Sequence, residues 1–129
     1  GEGQIRSSVV VDNRIYIIHY TQIKVYNKNT FEFIETLGLQ PGRAHFAFVT
    51  KDGDILIPDW ARHVIYKIPR SNPSSFSIFM GKIGDNSIIS YPISSAIDND
   101  GNILVLEYNP SRLVIFDPTG KNRIAEYGG

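Results

Sequence analysis

The sequence contains no cysteine. This absence excludes disulfide bonds and thiolate metal sites, and it carries no information about the redox compartment. No apolar run approaches the roughly 18 residues needed to cross a bilayer, so we predict no membrane span. The first residues lack the basic and apolar segments of a secretion signal. We expect a soluble domain and leave its compartment open, with an extracytoplasmic location favoured over a cytosolic one.

The chain also lacks an excess of charge of either sign. Its 129 residues include 13 basic and 13 acidic side chains, which cancel at pH 7. No overall field therefore attracts nucleic acid or an anionic membrane, and a charged ligand has to be met by a local patch. An apolar content of 42% is ordinary for one globular domain with its own core.

Helical periodicity is missing as well. Nowhere do apolar residues recur at positions i, i+3, i+4 and i+7 for three turns, so we predict an all-β chain. Short alternating runs are separated instead by turns rich in Gly, Asp, Asn and Pro. Several runs are apolar at consecutive positions, which is typical of a sheet packed on both of its faces.

Three copies of one unit account for these runs. Each copy has an apolar strand ending in an aromatic residue, beginning at Ile15, Ile55 and Ile103, with spacings of 40 and 48 residues. Each is followed by a second run that also ends in an aromatic residue. This period indicates the blades of a β-propeller. We predict a single domain over residues 1–129, made of three four-stranded antiparallel blades at approximately 1–40, 41–85 and 86–129.

The third copy gives the clearest strand assignments, and the other two follow the same plan. Asp98-Asn99-Asp100-Gly101 is interpreted as a hairpin turn between the first two strands of that copy. The first strands are predicted at Ile5–Val11, Ala44–Val49 and Tyr91–Ile97, and the fourth strands at Phe31–Leu37, Phe76–Met80 and Arg123–Tyr127.

The third copy resembles an NHL-type repeat. The resemblance rests on the leading Pro92, the small-apolar strand, the Asp100-Gly101 turn, the apolar strand ending in an acidic residue, and the run from Arg112 to Phe116 followed by Tyr127-Gly128. The second copy keeps Asp52-Gly53 and Asp59 but lacks the proline, and the first copy has a histidine at the acidic position. The resemblance implies a propeller scaffold and leaves the activity open.

The resemblance also implies that the chain is half of a ring, because NHL-type propellers usually close with about six blades. Three blades alone would leave two apolar blade faces in water, a larger patch than soluble monomers tolerate. Either the chain is part of a longer propeller, or two copies complete the ring about a two-fold axis. Domain swapping, or an open stack of more copies, is a further way to cover these faces. We therefore expect the chain to associate with itself or with a missing half-propeller.

A binding surface is predicted where the first strand of each blade begins and the second strand ends. We call this end of the sheets the loop face. Arg, Trp and Tyr dominate binding energy at interfaces, and they are frequent in these segments. The alternative is that these side chains only cap the ends of the blades. The candidate binding residues are Arg43, His45, Trp60, Arg62, His63, Asn109 and Arg112, with His19, Tyr20 and Tyr91 nearby.

No catalytic set, metal site or cofactor is predicted. His19, Asp59 and Glu107 occupy equivalent positions, but equivalent positions of successive blades are spread around a propeller, which disfavours a shared metal ion. In the NHL-type pattern, the acidic residue accepts backbone hydrogen bonds and braces the adjacent loop, so the resemblance implies this structural role for Asp59 and Glu107. The histidines have no spacing typical of zinc ligands, and no Gly-x-Ser-x-Gly motif occurs.

Three functional hypotheses follow. The first is a non-catalytic NHL-like interaction module that binds a protein or another polymer through the loop face. Single-stranded RNA is a possible ligand because arginine and aromatic groups stack on bases, but the zero net charge disfavours nucleic acid. The second is a metal-dependent propeller enzyme, either a lactonase-like hydrolase or a lyase, with a divalent ion in the central channel. The third is a structural half-propeller that only self-assembles.

Overall fold

The structure, a computed structural model, describes residues 4–84 and 86–128. Within these residues, twelve strands form three four-stranded antiparallel sheets, and each sheet contains four consecutive strands paired in sequence order. The all-β fold of three four-stranded antiparallel blades is therefore confirmed. The only helical element in these residues is one turn of 3-10 helix at Pro73–Ser75. Over the same residues, none of the helical structure has the length and apolar character that crossing a membrane requires.

The strands are as follows. Blade one consists of β1 (Ile5–Val11), β2 (Arg14–His19), β3 (Ile23–Asn27) and β4 (Phe33–Thr36). Blade two consists of β5 (Phe48–Val49), β6 (Ile55–Asp59), β7 (Val64–Ile68) and β8 (Ser77–Gly81). Blade three consists of β9 (Pro92–Ile97), β10 (Ile103–Glu107), β11 (Arg112–Phe116) and β12 (Arg123–Gly128).

The core consists of two layers between neighbouring blades. Ile55 and Ile57 of β6 pack toward blade one with Ile18 and Val25. Leu56, which points the opposite way, belongs to the second layer, between blades two and three. Every residue of β6 is buried as a result. Packing on both faces explains why this strand is apolar at consecutive positions instead of alternating with polar residues.

The outer faces of blades one and three are apolar but lack a neighbouring blade. On blade three, Leu104 and Leu106 alternate with the buried Val105, and Leu106 is 39% exposed. On blade one, Ile15 and Ile17 alternate with the buried Tyr16 and line a shallow groove. We call these two surfaces the end faces. They carry the same kinds of side chain that fill the layers between the blades.

The first strand of blade two is shorter than predicted. The prediction placed a strand over 44–49, whereas β5 covers only Phe48–Val49, with one isolated bridge between Ala44 and Asp59. Pro58 lies opposite this gap and has no N–H to donate to the first strand, so the ladder is interrupted there. The freed segment contacts both neighbours instead: the Phe46 N–H donates to the Ile93 carbonyl, and the Ala47 N–H donates to Ser7 Oγ.

Gly81 is required at the end of blade two. Its φ is +85°, and a Cβ there would contact the His63 carbonyl oxygen and lie 2.8 Å from Ser87 Oγ. We expect Gly81→Ala to lower the free energy of unfolding by more than about 1 kcal/mol in urea denaturation. Gly84→Ala is the matched control, because Gly84 also has a positive φ but has nothing within 4 Å of its added Cβ. Equal losses for the two variants would show that the close contact is unimportant.

Candidate functional site

The first strand of each blade carries one extra residue near its beginning. In β1 and β9 the register shifts at Arg6 and Ile93. In blade two, Ala44 lies opposite Asp59 and Phe48 lies opposite Leu56, so the first strand advances by four residues where the second advances by three. His45 occupies the corresponding place, where its N–H donates to the Pro58 carbonyl. A β-bulge redirects a side chain and is common next to functional sites.

These bulges lie beside a second set of equivalent residues. Tyr20, Trp60 and Tyr108 directly follow β2, β6 and β10 at the loop face. Side chains of the bulge residues and of this second set surround a depression of about 380 Å³, which we call the central depression. It is lined by Arg6, Arg43, His45, Phe46, Trp60, Ile93 and Tyr108. All three blades therefore contribute to one surface.

Cations and aromatic rings alternate across this surface. The guanidinium carbons of Arg6 and Arg43 lie 4.9 and 4.6 Å from the centre of the Tyr20 ring. Arg43 is also 5.5 Å from the centre of the Trp60 ring. Trp60 in turn packs against Tyr91, with 4.8 Å between ring centres. Such contacts hold long side chains in place while leaving their N–H groups available.

Among the described residues, the two arginines of the central depression have no acidic partner. Among the ion pairs of the described residues, none includes Arg6 or Arg43. Arg43 Nη2 donates to the Tyr20 hydroxyl at 3.4 Å, and Arg6 Nε is buried without a hydrogen-bond partner in the part of the chain that the structure describes. Within the described residues, no carboxylate lines the depression, so it carries local positive charge although the chain as a whole is neutral.

His45 is held in its neutral form by its surroundings. Burial lowers the pKa of the His45 imidazole below its usual value of 6.5, and the charges of Arg6 and Arg43 lower it further, while Asp59 opposes them. The imidazole also makes an edge contact with the Tyr20 ring at 6.1 Å. A neutral imidazole can accept a hydrogen bond and adds no charge at neutral pH.

This lowered pKa predicts a pH dependence of stability. The folded protein binds the His45 proton less tightly than the unfolded chain does. The contribution of neutral His45 to the free energy of unfolding is therefore fully present above pH 6.5, and it is lost as the pH falls through the lower pKa of the folded protein. We expect His45→Gln to reduce the loss of melting temperature on acidification. An NMR titration of the imidazole checks the cause directly, and a His45 pKa of 6.5 or higher would contradict it.

Asp59 fixes the segment that carries Arg43 and His45. Its carboxylate is fully buried and accepts hydrogen bonds from the backbone N–H groups of Gly42, Arg43, Ala61 and Arg62 at 2.7–3.2 Å. The Tyr66 hydroxyl donates a fifth bond at 2.9 Å. Burial raises the pKa of Tyr66, which keeps this donor protonated. The predicted structural role of Asp59 is confirmed.

Glu107 does the same for the segment before β9. Its carboxylate is 2% exposed and accepts from the Ser90 N–H at 2.7 Å and from Arg112 Nε at 2.7 Å. Bracing by Glu107 is therefore confirmed as well. His19, the equivalent residue of blade one, is buried, and its Nδ1 has no hydrogen-bond partner among the described residues.

The structure brings three of the seven predicted binding residues together. Arg43, His45 and Trp60 line the central depression. His63 lies behind it, where its Nδ1 accepts the Tyr91 N–H at 3.0 Å and its ring contacts Tyr91. A role for these residues in ligand binding stays a prediction.

The other three predicted residues lie away from the depression. Arg62 donates to the Gln40 carbonyl and the Tyr66 hydroxyl, and lies in a separate groove. Arg112 bridges the carboxylates of Glu107 and Glu126. Asn109 lies in the exposed turn between β10 and β11, with a positive φ of 69°.

Sequence reasoning missed four residues of the depression. Arg6 and Ile93 are the repeat equivalents of His45, and Tyr108 is the equivalent of Trp60, so aligning the copies position by position would have found them. Phe46 had no such signal, because it reaches the depression only through the interruption of the first strand of blade two. Over residues 4–84 and 86–128, no group of three His, Asp or Glu side chains is placed to hold a metal ion.

Comparison with solved structures identifies the architecture. The chain is similar to virginiamycin B lyase from Staphylococcus aureus, with 19% identity, a TM-score of 0.71, and coverage of 98% of this chain and 42% of that one. A streptogramin B lyase matches with 18% identity, a TM-score of 0.71, and coverage of 98% and 40%. Both are β-propellers. The fold of this chain is a β-propeller.

Other comparisons add little beyond the fold. A computationally designed protein, Ika4, matches with 8% identity, a TM-score of 0.67, and coverage of all of this chain and 75% of that one. No protein-family model and no curated protein matches the chain. The propeller chain spans about two fifths of the length of the two lyases. At these identities, the likeness extends to the fold alone.

Proposed function

We propose that the chain is a non-catalytic, NHL-like propeller module that binds a protein or another polymer through its loop face. The observation that carries this proposal is the central depression, where two arginines that have no acidic partner over residues 4–84 and 86–128 are interleaved with aromatic rings. Arginine and aromatic side chains supply most of the binding energy at interfaces, because they offer planar donors and large rigid surfaces. Phe46 and Tyr108 at its edge are 49% and 54% exposed and are available to a partner.

The proposal includes a second half for the propeller. The end faces carry exposed Phe31 and Phe33 on blade one, and Leu106 and Tyr127 on blade three. Burying them would extend the packing already present between the blades. Further blades of a longer polypeptide, or a second copy of this chain, would supply that cover in an NHL-like ring of six blades. Sedimentation velocity of the isolated chain distinguishes these alternatives, because only pairing with a second copy gives a concentration-dependent dimer.

A metal-dependent enzyme is the second candidate. Its support is the structural similarity to two proteins described as lyases. Such an enzyme would need ligands contributed jointly by this half and its complement. Elemental analysis of the self-associated or full-length protein after exhaustive dialysis tests it: a divalent ion retained at one per ring supports the enzyme, and metal-free protein overturns it.

Trp60 provides the test of the binding function, since it is the sole tryptophan of the chain and lines the central depression. Its fluorescence can be followed while three probes are added: a random copolymer of glutamate and tyrosine, oligouridylate, and dextran. We expect at least one polymer to change the Trp60 emission saturably. A Trp60 signal that none of the three changes would overturn the proposed function.

A further inference from the structure

We propose that the central depression recognises an acidic protein segment in which a carboxylate lies next to an aromatic side chain. This inference rests on the proposed binding function and names its ligand class. Its starting point is the polarity of the lining. Arg6, Arg43 and the Trp60 indole supply donors, whereas no Asp, Glu, Asn, Gln, Ser or Thr lines the depression within the described residues.

The charge of the depression selects an anion. The carboxylate near it is that of Asp59, whose oxygens are already occupied by four backbone N–H groups and the Tyr66 hydroxyl. His45 contributes no charge at neutral pH, because burial and both arginines lower its pKa. Two arginines stand against this one carboxylate, so positive charge remains at the depression for a ligand carboxylate to meet.

The arginines are also held in place before a ligand arrives. Both guanidinium groups lie within 5 Å of the Tyr20 ring centre, and Arg6 contacts the Phe46 ring as well, at 5.7 Å. Stacking against an aromatic ring restricts a guanidinium but leaves its N–H groups free for paired hydrogen bonds to a carboxylate. Less conformational entropy is then lost on binding.

The rest of the depression fits an aromatic side chain. The exposed Phe46 and Tyr108 flank it, and Trp60 and Ile93 complete an apolar surface. The backbone of Phe46 is fixed by its hydrogen bond to the Ile93 carbonyl, so this ring is anchored to blade three. Pairs of aromatic rings gain interaction energy beyond the burial of area alone.

Two other polymers fit less well. Sugar hydroxyl groups donate as well as accept hydrogen bonds, and the described lining has no side-chain amide or carboxylate to accept from them. Nucleic acid depends on many phosphate contacts, whereas the depression offers two arginines on a chain of zero net charge. An acidic protein segment requires only one or two cations beside an apolar surface, which is the arrangement present.

The test uses the Trp60 signal with matched polymers. We expect the glutamate–tyrosine copolymer to bind more tightly than polyglutamate, because polyglutamate lacks the ring, and a lysine–tyrosine copolymer to give no saturable change. Arg43→Gln and Arg6→Gln should each weaken binding by about 10- to 100-fold, as expected for loss of charge-assisted hydrogen bonds. Raising the salt concentration should also weaken binding of the glutamate–tyrosine copolymer to the unsubstituted protein, because salt screens the charges.

Arg14→Gln is the control, since it removes the same charge at the opposite end of β2, where Arg14 pairs with Glu35. Arg43 is exposed, so Arg43→Gln remains informative even if Arg6→Gln fails to fold. Equal weakening by Arg14→Gln, or tighter binding of dextran, oligouridylate or the lysine copolymer, would overturn the ligand class while leaving the binding function intact. If none of the polymers changes the Trp60 emission, both the ligand class and the binding function are overturned.

Discussion

Asp59→Ala is expected to lower the free energy of unfolding by about 3–5 kcal/mol. The substitution removes the acceptor of four backbone N–H groups and of the Tyr66 hydroxyl, all around a carboxylate with no exposed surface. Unsatisfied buried donors lose their interaction with water without gaining another partner, which is why the loss exceeds the usual value for one hydrogen bond. Urea denaturation followed by circular dichroism measures it.

Asp52→Ala is the matched control, because Asp52 lies exposed in the turn between β5 and β6. Its loss should stay within about 0.5 kcal/mol. Asp59→Asn keeps the shape of the side chain but replaces one acceptor by a donor. We expect its loss of unfolding free energy to lie between those of Asp59→Ala and Asp52→Ala. Should Asp59→Ala prove as stable as Asp52→Ala, the bracing of the segment before β5 would not depend on this carboxylate.

The same carboxylate connects stability to the central depression. Gly42 and Arg43, which Asp59 holds, are separated from His45 only by Ala44 and lie just before the interruption in the first strand of blade two. Loss of the bracing should therefore allow the Arg43 side chain to move away from Tyr20 and Trp60. In the folded fraction of Asp59→Ala, we expect altered Trp60 emission even without ligand.

Much of the fold could be predicted from local sequence signals. Consecutive apolar residues in β6 indicated a sheet covered on both faces, as blade two is, and the repeat spacing indicated blades. The bracing role of Asp59 and Glu107 followed from the resemblance to the NHL-type repeat. These features depend on residues close together in the chain or at equivalent positions of the copies, so they remain visible without coordinates.

The arrangement of the candidate site depends on contacts between blades, which single copies do not reveal. Neither the interruption of the first strand of blade two opposite Pro58 nor the turn of Phe46 toward Ile93 was predicted from the sequence. Arg62 and Arg112 were predicted at the loop face together with Arg43, yet each is used in bonds within or beside its own blade. Distinguishing a bound arginine from an available one required the positions of its acceptors.

Leu56→Ala and Leu104→Ala are expected to differ strongly, although the two leucines occupy equivalent repeat positions. Leu56 is completely buried between blades two and three, whereas Leu104 lies on an end face. Leu56→Ala should cost about 2–5 kcal/mol, because it removes buried methyl groups and leaves a cavity that the surrounding blades cannot close. Leu104→Ala should cost roughly 1 kcal/mol, since that side chain is already partly exposed to water and has no blade packed on it.

Urea denaturation at low protein concentration compares the two variants while the end faces are uncovered. Each variant is the other's control, because the residue type and strand position are the same and only the neighbouring blade differs. Equal losses at low concentration would contradict the uncovered end face. At a concentration where sedimentation detects association, the cost of Leu104→Ala should rise toward that of Leu56→Ala, because a blade packed on Leu104 would give it the surroundings that blade three gives Leu56.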